Sequence, residues 1–411
     1  MPLAPTTASR LAPQPEPSDF LAPVLAALPP GIDLAVVRRG ASWVVAMEPD
    51  EVVTARGADA FAALDGLDSG WWAGYASYDL GRAVERVRAR RAPCGSLPDL
   101  VLARFDARLV VDRHDVRVEG TGRSSSLLTA LTRRLDVPAV LPAPKLEPWS
   151  SDLSREAFEA GVRAVIRLIE AGECYQVNLT RRLTCPVNAD PVALFAALTR
   201  HNPAPHAALI RLGDTAVVSA SPERFLGRRG RRVETRPIKG TAAEAAVLAG
   251  SAKDRAENVM IVDLARNDLG RVCEFGSVAV PELCVVEPHP GLHHLVSTVT
   301  GTLRAGVGAG ALLRATFPPA SVTGAPKPRV LQAIEDLEAS PRGIYCGAVG
   351  WIDADRAALD LNVAIRTFVM TPAGTELGVG AGIVADSDPA AEWRETELKV
   401  ARLLAAAGRR R

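Results

Sequence analysis

Phe158, Val162, Val165, Ile166 and Ile169 recur at the spacing of one face of a helix. Ser154 stands where a capping hydroxyl would start that helix, and Gly172 where a left-handed residue would end it. Helical spacing also marks AFAALDGL, PVALFAALTR, a long segment from about Lys253 and a last one from about Glu392 to Ala407. Between them lie short β-branched runs: LAVV, WVVAM and LVLARF early, then CYQVNLTRRL, AALIRL and AVVSAS. The segment beginning Gly70-Trp-Trp-Ala-Gly-Tyr reads as a packed strand with a close backbone approach. These strands cluster in meanders without regular strand–helix–strand alternation. The expected fold class is therefore α+β, a large mixed fold of antiparallel sheets with helices outside.

Breaks in the pattern divide the chain. Residues 1–17 are Pro-rich and weakly periodic, and read as a mobile arm. Residues 18–134 form an expected N-terminal α+β lobe. Four prolines in the stretch from Leu135 to Trp149 disfavour helix and central strand, which makes 135–150 a linker. Residues 151–411 form the expected catalytic region. No repeat is present, and no GxxxxGK[ST] phosphate loop.

Charge narrows the function classes. With 48 Lys+Arg against 47 Asp+Glu, the chain has no overall basic field to favour nucleic acid or an anionic membrane. Its opening residues lack the apolar stretch of a signal peptide, and no run is long enough to span a bilayer, so a soluble cytoplasmic protein is expected. The six cysteines never form CxxC and read as reduced core residues.

Candidate chemistry sits on two of the helices. Asp254 and Glu257 share a face of the first, and Glu392, Glu395 and Lys399 share a face of the second. Carboxylates gathered from two helices suit Mg²⁺, which takes oxygen ligands and keeps waters. Spacing alone leaves open that both pairs are solvated surface charges. Between the helices, Thr323-Gly324, Arg366 and Gly380-Ala-Gly-Ile-Val stand at expected strand ends, where backbone N–H groups and a guanidinium can hold an anion. Glu223 follows an apolar strand, where a carboxyl group can be buried and stay protonated. Lys239 lies between Ile238 and Gly240-Thr241, where a desolvated amine can act as a nucleophile.

The order and wording of SPERF, RPIKGT, SAKDRAENVMIVDLARNDLGRV, VVEPHPGLHHLVSTVTGTL, FPPASVTGAPKPR, RGIYCGAVG, AIRTF and GAGIVADSDPAAEWRETELK resemble the chorismate-utilising enzymes. The likeness spans about Ala171 to Ala407, and GYASYDLGR carries it into the first lobe. It implies an anthranilate-synthase-like fold with Mg²⁺ held by Glu257 and Glu395, and with Asp254 and Glu392 nearby. It further implies Glu223 as the general acid that protonates the departing C4 hydroxyl of chorismate. Tyr345, Arg366, Lys399 and the backbone of Ala381, Gly382 and Ile383 would contact substrate carboxylates, while Thr241, His294, Thr323 and Gly324 would line the pocket.

Two positions discriminate among members. Gln176 stands where the water-adding members resemble one another in carrying a lysine base, which disfavours isochorismate and salicylate synthesis. Lys239 stands where anthranilate synthases have alanine in PIAGT, and here the chain resembles the aminodeoxychorismate synthases. The expected reaction joins chorismate and ammonia into 4-amino-4-deoxychorismate, for p-aminobenzoate and folate synthesis, through a Lys239 adduct at C2. The alternative is anthranilate synthase component I. A catalytically silent subunit is disfavoured, because every acidic position is present. The Leu-Leu-Glu-Ser element linked to tryptophan feedback is missing, so tryptophan inhibition is not expected. A glutaminase elbow is also missing from the sequence, so ammonia is expected from a separate glutamine amidotransferase subunit or from solution.

Overall fold

The computed structural model describes residues 20–89, 97–135, 141–289 and 292–408. The expected mobile arm, the loop around Cys94 and part of the linker lie outside the described residues. Two large sheets carry the described fold, and every strand pairing in them is antiparallel. One follows the order Gly324–Ala325, Gln176–Cys185, Gly374–Ile383, Thr367–Thr371, Thr215–Ser219, Ala208–Leu212, Leu34–Arg39, Ser42–Met47, Ala107–Val111, Val116–Gly120. The other follows Ile238–Ala242, Leu292–Thr302, Arg232–Arg236, Arg224–Arg229, Ala358–Val363, Ala348–Asp353, Trp71–Ala76, Leu100–Phe105, Glu51–Ala55.

Period-two patterning explains how the sheets bury both faces. In Leu34–Arg39, Ala35 and Val37 join a core with Trp71, Ala73, Tyr75 and Trp351 of the other sheet. Leu34 and Val36 point the other way, onto a core that includes Phe195, Leu198 and Leu403 from the covering helices. The close approach expected around Gly70 occurs at Gly74, where a Cβ would stand 1.9 Å from the carbonyl oxygen of Val101. Only glycine lets the neighbouring strand pair there.

The helices form where their caps allow. Ser154 accepts a hydrogen bond from the Ala157 N–H at the head of Arg155–Glu170, and Gly172 takes φ +73° just beyond its end. Ser251 caps Ala252–Gly270, and Asp388 caps Pro389–Ala406. The last helix thus starts before the expected Glu392, because Asp388-Pro389 supplies both an N-terminal acceptor and a preset φ. All five cysteines among the described residues are buried and free. No helix among the described residues is long and apolar enough to cross a membrane.

Candidate active site

Lys239 leaves its strand toward the helix Ala252–Gly270, and its Nζ stands 3.8 Å from Oε2 of Glu257. Burial lowers the lysine's pKa, and the nearby Glu257 and Glu223 carboxyls only partly oppose this. The amine is therefore easier to deprotonate than a surface lysine. Burial raises Glu257 in turn, with Lys239 pulling the other way.

Glu223 is buried, and burial pushes its carboxyl up to about 7 against the pull of the Ser321 hydroxyl, Lys239, the Ile238 N–H and Arg366. A carboxyl group in that range can be protonated near neutral pH and still give up its proton, as a general acid must. Arg366 adopts φ +52°, a conformation that costs a non-glycine residue of order 1–3 kcal/mol. Its guanidinium, lowered by burial and Arg402 to about 10, remains a cation.

Gly382 lies in the strand Gly374–Ile383, in register with Asn178 of the neighbouring strand. A Cβ on Gly382 would stand 2.4 Å from Nε2 of Gln176 and 3.4 Å from Nζ of Lys239. The amide, the amine and a bare stretch of backbone thus meet at one point. Gln176 is fully buried, and neither Oε1 nor Nε2 has a hydrogen-bond partner. An amide stripped of water and left unpaired costs roughly 1–3 kcal/mol, and this one stands beside the Lys239 amine with its hydrogen-bonding capacity unused.

Around this point the sequence-predicted residues fall into two groups. The Thr241 hydroxyl and Nδ1 of His294 hydrogen-bond at 2.8 Å. Burial and the nearby His289 and Arg366 push His294 down to about 3, so its ring is neutral. Lys399 donates to the Gly380 carbonyl at 3.0 Å and to Glu395 at 2.6 Å, which ties the last helix to the glycine-rich strand. Asp254 lies against Gly240, whose φ of +78° and missing Cβ make room for it. Glu392 accepts from Ser387 at 2.7 Å, and burial raises its pKa. Glu395 is drawn down, its burial being outweighed by Lys399.

Three predicted residues have different surroundings. The Tyr345 ring lies over Gly378, about 13 Å along the strand from Gly382, in a cavity shared with Arg181 and Arg182. The Thr323 hydroxyl donates to the Pro319 carbonyl at 2.9 Å and is buried. Gly324, at φ +128°, lets the chain pair with the strand carrying Gln176.

Sequence reasoning missed Ser321, which supports Glu223, and the buried pair Arg342–Glu338. Arg342 donates to the carbonyls of Val322 and Asn178, and Glu338 accepts from the Thr180 N–H at 2.9 Å. Together they pin the Thr323–Gly324 turn to the Gln176 strand. The only prior signal was an arginine inside RGIYCGAVG, which reads equally as a surface cation.

For a divalent cation, the four carboxylates Asp254, Glu257, Glu392 and Glu395 form an all-oxygen set of the kind Mg²⁺ takes. Among the described residues no three His, Cys, Asp or Glu side chains converge closely enough to hold a metal as they stand. Lys239 and Lys399 instead supply positive charge to Glu257 and Glu395. The donor chemistry is of the kind Mg²⁺ takes, and waters and an anionic ligand would have to complete a shell that these carboxylates do not close by themselves.

The family model of chorismate binding enzymes matches residues 37–405. Aminodeoxychorismate synthase component 1 of Klebsiella aerogenes is 43% identical over 343 residues, covering 80% of this chain and 76% of the relative. Anthranilate synthase component 1 of Thermus thermophilus is 39% identical over 355 residues, covering 81% and 76%. The crystal structure of anthranilate synthase component I from Streptococcus pneumoniae superposes with a TM-score of 0.79 at 26% identity, covering 89% of this chain and 93% of that one. The fold, the motifs and these matches place the chain in the chorismate binding enzyme family.

Proposed function

We propose that the chain is an aminodeoxychorismate synthase component I, which converts chorismate and ammonia to 4-amino-4-deoxychorismate. The observation that carries this reading is the Lys239 amine, desolvated and set between Glu257 and Gly382. Neutral Lys239 attacks C2, and the ring double bonds shift. The C4–O bond breaks, and the proton of Glu223 leaves with the hydroxyl as water. Ammonia then adds at C4, the double bonds return, and the C2–N bond to lysine breaks. The new C4 ammonium passes a proton to the Glu223 carboxylate, so the lysine amine and the glutamic acid are both regenerated.

Arg366 and the N–H groups around Gly382 hold substrate carboxylates, and Thr241–His294 lines the pocket with neutral groups. A Mg²⁺ ion on Glu257 and Glu395, with Asp254 and Glu392 beside it, would anchor the ring carboxylate. Ammonia would come from a separate glutamine amidotransferase subunit, and the product would feed p-aminobenzoate and folate synthesis in the cytoplasm.

The test is a reaction of chorismate, Mg²⁺ and ammonium at high pH, with product identified by mass and by its response to aminodeoxychorismate lyase. Wild type is expected to give aminodeoxychorismate, and Lys239→Ala to lose it or to divert to anthranilate. Unchanged aminodeoxychorismate from Lys239→Ala would overturn the lysine's role. The near-equal identity to the Thermus anthranilate synthase keeps a second reading, in which wild type releases fluorescent anthranilate without any lyase.

A further inference from the structure

Buried along the helix Ala252–Gly270 is a stripe of Asn258, Ile261, Val262, Ala265 and Leu269, at the spacing of one helix face. Its last four members are aliphatic. The first is an amide, and it is fully buried. Its Nδ2 donates to the Leu295 carbonyl at 3.1 Å, and its Oδ1 accepts from the Ser297 hydroxyl. The Ser297 oxygen also accepts the Cys284 N–H at 2.8 Å, at a bulge where Ala279–His289 slips register against Leu292–Thr302. The amide therefore bonds the helix to one strand at two positions, Leu295 and Ser297.

Both contacts bear on the proposed nucleophile. Leu295 is the register partner of Lys239. Glu257, whose Oε2 stands 3.8 Å from the Lys239 Nζ, immediately precedes Asn258. One turn earlier, Asp254 fills the space left by the missing Cβ of Gly240, next to Lys239. Glu257 is thus bracketed by a steric fit at Gly240 and a hydrogen-bonded one at Leu295.

Resting on the proposed function, we infer that Asn258 is a positioning residue, which sets the register of the helix so that Glu257 is held against Lys239. The carbon that Lys239 attacks is bonded to the ring carbon bearing the carboxylate, and Glu257 belongs to the set that would anchor that carboxylate. Nucleophile and anchor must keep one separation, although one rides on a strand and the other on a helix. Aliphatic packing holds such a separation loosely, because the hydrophobic effect is non-directional. A hydrogen bond weakens steeply with angle and distance, so the amide fixes what the rest of the stripe leaves free. Replacing a buried hydrogen-bonded pair by apolar groups of the same shape can be nearly neutral for stability, so the gain from the amide is in register.

Asn258→Leu keeps the branching of the side chain and removes both bonds. Steady-state kinetics at saturating ammonium, with chorismate varied, are expected to show kcat lowered about tenfold and the chorismate KM held within about twofold, since a nucleophile displaced by about 1 Å slows attack without releasing substrate. In metal-free protein without substrate, acylation of Lys239 by an amine-directed reagent, read by peptide mass, is expected to run several-fold faster, because a helix free to slide draws Glu257 away from the amine. An unchanged kcat, a kcat and KM that move together, or labelling of Lys239 at the wild-type rate would overturn the inference. If Asn258→Leu does not fold, Ser297→Ala removes one of the two bonds and leaves the amide in place. It is expected to show the same split at smaller size, and a full kcat in Ser297→Ala would then overturn the inference. The product of wild type, identified by mass in the same assay, reports separately on the proposed function. Anthranilate from wild type would overturn that reading, whereas wild-type aminodeoxychorismate with an unaffected Asn258→Leu would overturn the positioning role alone.

Discussion

Glu223 shows how a single buried carboxyl couples stability to catalysis. Its pKa is raised by burial from 4.5 to about 7, so the folded chain keeps a proton that the unfolded chain releases. This contribution to stability is fully present below the unfolded value and is lost as pH rises through the folded one. If Glu223 is the general acid of the proposed reaction, the same proton is the one given to the C4 hydroxyl, and kcat/KM for chorismate, measured at fixed free ammonia, is expected to fall above about pH 7. Glu223→Gln should lower the rate by about 10²–10⁴ and remove that limb of the profile. A limb that survives the substitution would assign the titration to another group. On the proposed function, the unpaired Gln176 amide sets stability against substrate binding. Replacing it with Leu removes the unpaired amide, and should raise the unfolding free energy by up to roughly 1–3 kcal/mol while weakening chorismate binding. A denaturant titration and a chorismate KM read the two effects, and a variant both less stable and fully active would contradict them. The roles suggested for Lys239 and Glu223 were legible because they sit in long motifs. The meeting of Gln176 with Gly382 was not, because glycine in a strand signals close approach without naming what approaches.

At the scale of the element, the helix over 155–170 was legible from its cap and apolar face, while the start of the last helix and the sheet partners were not. Ser154, Ser251 and Asp388 each cap a helix through a side-chain acceptor, and such signals lie within a few residues of the turn they stabilise. Pairings such as Leu34 with Arg211, or Gly350 with Gly74, join residues distant in sequence and leave no local trace. The last helix carries Glu392, Glu395 and Lys399, and Lys399 bonds it to the Gly380 carbonyl of the glycine-rich strand. Its Asp388 accepts from the Ala391 N–H at 2.8 Å. Asp388→Ala should cost about 1 kcal/mol and loosen the first turn, where Glu392 sits. The expected outcome is a small loss of melting temperature together with a higher Mg²⁺ requirement for half-maximal activity. A lower melting temperature with an unchanged Mg²⁺ requirement would show that the first turn does not govern ion binding.

Across the whole molecule, the segments before and after the Pro-rich stretch are woven into the same two sheets. Leu34–Arg39 sits between Ala208–Leu212 and Ser42–Met47, and Trp71–Ala76 sits between Ala348–Asp353 and Leu100–Phe105. The core between the sheets draws Trp71, Tyr75 and Phe105 from the early segment, and Ile210, Val217, Trp351 and Val369 from the late one. Exposing side chains of this size costs roughly 1.5–3 kcal/mol each, while a whole domain has about 5–15 kcal/mol of net stability. Removing the early segment would uncover several of them at once and leave Ala208–Leu212 and Ala348–Asp353 as bare apolar edges. Residues 151–411 produced alone are therefore expected to aggregate, or to unfold without a cooperative transition, even though they carry every proposed catalytic residue. Co-expression with residues 18–134 should restore a cooperative melt and ammonium-dependent turnover, because the early strands supply the missing partners. A lone 151–411 fragment that melts cooperatively and turns over chorismate would show that the late segment closes its own core, and would make the early segment an accessory to the fold.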